Sequence, residues 1–424
     1  MESNAADRGK GKLDWKRVSA WSLYDFANSP YSTIMTTVGF PIYFTEVIAP
    51  GVGGVLGWGM LYGVSMAIAA LLAPTLGAWS DNVGRRKPFL VGFTALAIAG
   101  TALCSLIGQG QVALAWLLFG MANIGFGCSI IFYNAMIVEV SPPDRLPTVS
   151  GIGWATGYIG GIVGLLLALP FFLGAATGAE ADGFRTSFLL VAAIFAVFAL
   201  PLLITREKGI VRADGLGKGL AEGYRRVFTT LRKAKAHRAF FLFVIAYFFI
   251  NDALTTIIIF AGPYARSLFH TETKRVLLLF ILLNVIAAVG ALLLGEVAER
   301  FGTLRTLIAL AASWCLLVSV LAVVRSEHGF FLLAGVAGLL IGSTQAVARA
   351  IAAKLAPDGS EGEFFGFFAL AGKFSAVAGP VVFGSAVFAS GTMRAGAWST
   401  LPFFLVGLLL LLRLFSILKK GRSF

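Results

Sequence analysis

Apolar stretches recur along this chain at 19–48, 55–79, 88–108, 112–139, 149–173 and 185–204, then at 239–262, 276–298, 303–324, 329–355, 364–390 and 396–418. A helix crosses the hydrocarbon core of a bilayer with ~20 mostly apolar residues, so the pattern predicts twelve transmembrane helices. The hydrophilic start carries Arg8, Lys10, Lys12, Lys16 and Arg17, and the run behind it is too long for a signal-peptide core and has no small-residue cleavage site. It therefore reads as a retained span. The predicted fold class is an all-α polytopic membrane protein. Its organisation is a cytoplasmic N-terminal tail at 1–18, a six-helix bundle at 19–204, a basic cytoplasmic linker at 205–238, a second six-helix bundle at 239–418 and a cytoplasmic tail at 419–424.

Polar positions are not spread evenly over the spans. Those at 88–108, 185–204, 303–324 and 396–418 are nearly uniform aliphatic runs, as at Leu405–Leu412, and suit lipid-facing positions. In the first span Asp25, Asn28, Ser32 and Thr36 fall on one helical face. The seventh carries Tyr247, Asn251 and Thr255 on one stripe with Asp252 beside it, the tenth has Gln345 and Arg349 at i, i+4, and the fourth has Asn123 and Asn134. Polar faces on every third helix predict four helices lining a central aqueous cavity.

Four ionisable groups lie inside spans: Asp25, Asp252, Arg349 and Lys373. Each costs at least ~2.5–3.5 kcal/mol at such depth on insertion scales, so it faces a cavity or a partner. Depth matching predicts an Asp25–Arg349 pair near the cytoplasmic ends of their helices and an Asp252–Lys373 pair nearer the midplane. Two readings stay open for each pair, a structural helix contact or a role in substrate binding and ion coupling. Asp25, with its polar face, is the candidate proton carrier.

The chain also repeats itself. The second span ends Gly77-Ala-Trp-Ser-Asp81-Asn-Val-Gly84-Arg85-Arg86-Lys87, and the eighth ends Gly295-Glu-Val-Ala-Glu299-Arg-Phe-Gly302-Thr-Leu-Arg305. Tyr24 and Asn28 echo Tyr247 and Asn251, while Gly151, Gly157 and Gly164 echo Gly366, Gly372 and Gly379. Three matches in one order at nearly one offset indicate a duplicated six-helix unit, and parallel halves are a transporter architecture. Gly77 permits close helix approach and Gly84 a tight turn. Asp81 is placed to accept from a helix N-terminus or an arginine when the cytoplasmic face is closed.

Composition and charge narrow the class further. Of the 424 residues 58% are apolar and 13% are charged, against roughly 25% charged in soluble proteins, which excludes a soluble enzyme, a disordered chain and a secreted disulfide scaffold. The net charge of +13 would suggest nucleic acid in a soluble domain. Here it has a topological origin. With the N-terminus inside, only Arg185, Arg266, Lys274, Arg275, Arg325 and Arg394 fall on the outer side and Lys373 within a span, so both termini are expected in the cytoplasm and no nucleic-acid partner is implied. Ten basic residues fall in 205–238, where Gly217–Lys235 predicts an amphipathic surface helix against anionic headgroups. Cys104, Cys128 and Cys315 all sit in apolar runs, and His237, His270 and His328 have no metal-ligand spacing. No cofactor or metal is expected. No Gly-rich loop ending Gly-Lys-Ser/Thr occurs, so ATP does not drive this chain directly.

The Gly77–Lys87 loop resembles the signature of the major facilitator superfamily, and span count, duplication and linker extend the resemblance over the whole chain. Further segments resemble its vacuole-effluxer-like branch, which includes an autophagy-related amino-acid exporter. They are Trp21-Ser-Leu-Tyr24-Asp25-Phe-Ala-Asn28-Ser, Tyr133-Asn134-Ala with Glu139, Ser150-Gly-Ile-Gly153-Trp154-Ala-Thr-Gly-Tyr158, and Glu363-Phe-Phe-Gly366-Phe-Phe-Ala-Leu-Ala-Gly372-Lys373-Phe. The resemblance implies a rocker-switch secondary transporter, not an enzyme; a monomer in a bacterial inner membrane is expected. Its site would lie between the halves and take a small polar solute, amino acids being the best-supported class; protons are the expected coupling ion from the place of Asp25. It carries a cavity role onto Tyr24, Asp25, Asn28, Asn134 and Lys373; Asn251, Asp252, Gln345 and Arg349 join them from the polar pattern. Two departures stand out. Gly302-Thr-Leu-Arg305 lacks the doubled arginine, which predicts asymmetric gating, and the fifth span lacks the Gly-Pro pair of the drug/proton antiporters. A drug or organic-ion effluxer is the alternative, given 37 phenylalanines. A lipid-modifying membrane enzyme is more remote, because the acid clusters or paired histidines it needs are missing from the sequence.

Overall fold

The structure, a computed structural model, describes residues 12–50, 52–174, 180–207, 219–232, 234–269, 273–375 and 378–420. Parts of the predicted tails (1–11 and 421–424) and of the linker (208–218 and 233) lie outside them. Helices account for every regular element among the described residues. In chain order the longer ones are α1 Trp15–Pro30, α2 Val52–Val83, α3 Lys87–Leu103, α4 Val112–Ala135, α5 Leu146–Gly174, α6 Glu180–Ile204, α7 Gly219–Arg232, α8 Arg238–Phe269, α9 Thr273–Phe301, α10 Thr303–Leu321, α11 Glu327–Leu355, α12 Glu361–Phe374, α13 Ala378–Ser390 and α14 Met393–Lys420. Eleven spans among the described residues are long and apolar enough to cross a membrane, α12 and α13 together forming one of them.

The first span is the exception, and its sequence explains why. Asp14 caps α1 by accepting from the backbone N–H groups of Lys16 and Arg17 at 3.2 and 3.4 Å. Pro30 then ends regular α-hydrogen bonding, and the helix widens into π turns at Tyr31–Val38 and Phe44–Ile48 around a short α segment, Gly39–Tyr43. The hydroxyls of Thr33 and Thr36 bond back to the carbonyls of Ser29 and Ser32 at 3.2 and 2.6 Å, which keeps polar side chains satisfied inside an apolar bundle. With this segment the molecule has the twelve-helix fold of two six-helix halves.

Small residues bring the halves together. A Cβ on Gly77 of α2 would run into the Gly362 carbonyl of α12, and one on Gly151 of α5 into the Ala291 carbonyl of α9. Gly84 and Gly302 close the two repeated loops with φ of 71° and 95°, a region that only glycine enters freely. Between the halves, α7 is strongly amphipathic. Gly223 lies against the Thr75 carbonyl of α2 and Val227 packs on the core, while Tyr224, Phe228, Arg225 and Arg232 are exposed.

Candidate functional site

The two halves meet most tightly at the end that carries the repeated loops. Asp81, at the end of α2, reaches the N-terminus of α12: its Oδ1 accepts from the Gly362 N–H at 3.0 Å and its Oδ2 from the Glu363 N–H at 2.9 Å. Those are orphan donors of a helix start, where a carboxylate also meets the positive end of the macrodipole. Arg86 holds the cluster from the side, donating to Asp81 at 3.0 Å, Glu139 at 2.9 Å and Glu361 at 2.5 Å. Burial alone would lower the Arg86 pKa, but the carboxylates of Asp81, Glu361 and Glu139 raise it above the ordinary arginine value, so the hub stays charged. Glu207, at the start of the linker, accepts from the Arg86 and Lys87 N–H groups at 2.5 and 3.2 Å and caps α3.

A related closure joins α9 to α5. Glu299 accepts from the Arg145 guanidinium at 2.9 Å and from the Thr148 hydroxyl. The residues repeated from the first loop diverge from here. Gly302 makes the turn, and Lys354 donates to the Thr303 hydroxyl at 2.8 Å. Arg305 leaves the interface and lies over the Phe415 ring at 5.7 Å. Arg85 is exposed.

Deeper in the bundle, Arg349 of α11 enters a pocket built by the other half. It donates through Nη1 to Asp25 at 3.0 Å and Asn134 at 3.4 Å, through Nε to the Ser150 hydroxyl at 2.9 Å, and through Nη2 to the Ser150 carbonyl at 2.7 Å. The Trp21 and Trp154 rings stand 4.8 and 5.3 Å from its guanidinium carbon. Its side chain is 3% exposed. Charge, hydrogen bonds and ring faces thus all come from α1, α4 and α5, while the cation comes from α11. Removing one partner of such a pair strands the other charge at a cost of ~3–5 kcal/mol. Asn28 sits beside it, donating to the Tyr24 carbonyl at 2.7 Å and to Asp25 at 3.5 Å.

The second half has its own polar network. Tyr247 donates to Asn251 at 3.2 Å, and Asn251 donates to the Ser375 hydroxyl at 2.6 Å and the Gly372 carbonyl at 3.3 Å, tying α8 to the end of α12. Tyr158 of α5 donates to Gln345 of α11 at 2.8 Å across the halves. Trp154, Tyr158 and Gln345 also border a cavity of about 300 Å³, whose remaining wall is mostly apolar and comes from α8 to α11, α13 and α14.

Two expectations are corrected by these positions. Asp252 and Lys373 do not pair. Asp252 turns to the start of α13, where it accepts from the Gly379 N–H at 2.8 Å, and among the described residues its Oδ2 has no hydrogen-bond partner. Lys373 crosses to the first half, where its ammonium meets Met66 Sδ at 3.7 Å. Matching depth gave the two groups one height but not one side of the helix. Tyr24 does not face a cavity either. It is fully buried, its hydroxyl 2.7 Å from Thr94 and its ring stacked on Tyr133 at 4.9 Å, so it packs the first half.

Several residues that act here were not singled out from sequence. Ser150, Trp21 and Trp154 lie in the quoted motif segments, yet serine and tryptophan carry no charge signal. Arg145, Thr148 and Glu361 sit at helix starts, where they look like ordinary loop polarity.

With this geometry in hand, the similarities to known proteins take on meaning. Residues 59–140 and 141–423 match the vacuole effluxer Atg22-like family. The chain is 30% identical over 413 residues to an uncharacterised MFS-type transporter, YxiO, of Bacillus subtilis (strain 168), covering 93% of this chain and 94% of that one. It is 24% identical to autophagy-related protein 22 of Pichia angusta, covering 80% of this chain and 71% of the relative. Among solved structures it superposes on FucP, a major facilitator superfamily transporter in the outward conformation, with a TM-score of 0.74 at 13% identity, covering 94% and 98% of the two chains. It also superposes on an outward-facing bacterial homologue of the iron transporter ferroportin, with a TM-score of 0.67 at 13% identity over 96% and 100%. At such identities the structural likeness concerns the fold.

Proposed function

The chain belongs to the vacuole effluxer Atg22-like family of the major facilitator superfamily, and we propose that it exports or exchanges a small polar metabolite of the amino-acid type by alternating access. It is a multi-pass membrane protein and a transporter rather than an enzyme. The observation that carries the proposal is the set of polar contacts crossing between the halves. Asp81 to α12, Glu299 to α5 and Arg349 to Asp25 all join one half to the other, two at one end and one toward the middle. An opening at the Asp81 end must break the first two, and a change that weakens the third shifts the balance between the two states.

In this reading the Asp81 end is cytoplasmic, both termini with it, because most Lys and Arg fall on that side. The membrane is a bacterial inner membrane, and α7 rests its Tyr224 and Phe228 among anionic headgroups. The protein works as a monomer. Protons drive transport, with Asp25 as the carrier: taking up a proton there releases Arg349 from its only carboxylate among the described residues.

Counterflow into proteoliposomes, with a panel of amino acids and organic ions, tests the proposal. The expected result is trans-stimulated uptake of one or more amino acids. Stimulation by organic cations alone would contradict it and favour a drug or organic-ion effluxer, a reading that the apolar 300 Å³ cavity supports. For coupling, Asp25→Asn is expected to lose accumulation driven by a pH gradient. Undiminished accumulation eliminates that role.

A further inference from the structure

The two intramembrane cations differ in how fully the protein satisfies them. Arg349 has a carboxylate, an amide, a hydroxyl and a carbonyl around it. Lys373 has a thioether, Met66 Sδ at 3.7 Å, which is a weak acceptor. Among the described residues no carboxylate lies within 4.0 Å of its ammonium. The first half is nonetheless shaped to receive it. A Cβ on Gly127 of α4 would come within 2.9 Å of Nζ, so the ammonium rests against bare backbone there. The carboxylate at matching depth, Asp252, is turned away to the Gly379 N–H. Lys373 also stands in the last turn of α12, next to Gly372 and two residues before Ser375, whose carbonyl and hydroxyl hold Asn251.

An ammonium inside a span is expensive unless something negative meets it. Among the described residues a carboxylate meets Arg349, and none lies within 4.0 Å of Lys373. Lys373 comes from one half and touches the other, and its side chain is partly exposed. We propose that Lys373 is the anion subsite of the transport pathway: it takes the carboxylate of a small carboxylate-bearing solute, and Arg349, already saturated, does not. This deepens the transport reading and rests on it. Because Met66 and Gly127 belong to one half and Lys373 to the other, a bound carboxylate would bridge the halves at the point where they must move.

The test uses the purified full-length protein and three variants: Lys373→Met, which keeps the stem and removes the charge, Lys373→Arg, which keeps the charge, and Arg349→Met. Thermal unfolding is first followed without added solute. Lys373→Met is expected to raise the midpoint above wild type, because it removes a cation without a counter-ion, whereas Arg349→Met lowers it. Next, free amino acids, their amides and sodium chloride at matched ionic strength are titrated in. The expected result is stabilisation by acids and not by amides, roughly tenfold or more weaker in Lys373→Met and retained in Lys373→Arg. Equal effects of acid and amide, equal effects of chloride and carboxylate, or unchanged acid binding in Lys373→Met would each overturn the assignment. So would an absence of solute effects together with a lowered midpoint for Lys373→Met, the mark of a structural contact. Counterflow run in parallel separates the two readings. A wild type that exchanges no solute contradicts transport, while exchange that Lys373→Met leaves intact contradicts only the anion subsite.

Discussion

The closures at Asp81 and at Glu299 grow from repeated residues, 218 positions apart, and their packing is nearly the same. Gly77 meets Gly362 and Gly366 meets Pro74; in the related pair Gly295 meets Pro147 and Gly151 meets Ala291. Their polar chemistry is not the same. Asp81 is fully engaged with two backbone N–H groups and with an arginine that also holds Glu139 and Glu361. Glu299 accepts from side chains, and its Arg145 partner is 29% exposed. The first closure adds Arg86 with Glu139; in the second the counterpart of Arg86 is Leu304, and Lys354 donates to Thr303 instead. Duplication preserved the surfaces that meet between the halves and let the electrostatics diverge. One closure is a charged cap on a helix start, the other a side-chain pair whose carboxylate is buried and whose arginine is partly hydrated.

That difference can be tested from its strongest term down. Both closures depend on close backbone contact, so Gly77→Val, which forces two methyls into the Gly362 carbonyl, is expected to cut exchange on the order of tenfold to a hundredfold, in line with ~1–3 kcal/mol for overpacking. Initial rates of counterflow read this; near-normal rates would mean that the contact is not part of the cycle. Asp81→Ala removes a charged acceptor from two N–H groups and from Arg86. Turnover is expected to fall about tenfold, from ~1.5 kcal/mol or more per charged hydrogen bond, with apparent affinity changed only a few-fold. A shift in affinity with normal turnover would move Asp81 from closure to binding. Glu299→Gln keeps an acceptor and loses a charge on a partly hydrated pair, so its effect is the smallest, about two- to five-fold, and high salt should shrink the gap between variant and wild type. If Glu299→Gln matched Asp81→Ala, the asymmetry would be gone.

Much of this architecture was legible in the sequence. Twelve spans follow from the spacing of apolar runs, and the turn glycines Gly84 and Gly302 follow from the repeat. The cap on α12 was foreseeable because an Asp at the end of one span has few partners other than a helix start or an arginine, and here it has both. Depth also brought Asp25 to Arg349. It failed for Asp252 and Lys373 because height along a helix says nothing about which neighbour a side chain faces. Tyr24 shows a similar limit: the resemblance carried a cavity role onto it, whereas its azimuth, roughly 100° round the helix from Asp25, sends it to Thr94 and Tyr133. Ser150 and Trp154 were hidden for another reason. Their roles depend on a backbone carbonyl and a ring face, and neither leaves a distinctive pattern in the chain.

The central claim is that solute crosses only if the halves separate at the Asp81 and Glu299 end. Thr148 and Glu299 touch across that seam, and a pair of cysteines at these positions can be bridged there. The background replaces the free cysteines Cys104, Cys128 and Cys315. Since the Glu299 closure is the weaker one, the reduced double variant should still exchange measurably, and its own unbridged rate is the reference. Bridging the pair with a short thiol-reactive linker is predicted to stop counterflow, with a reducible linker restoring it on cleavage. Exchange continuing at the unbridged rate under quantitative bridging would contradict alternating access in this protein.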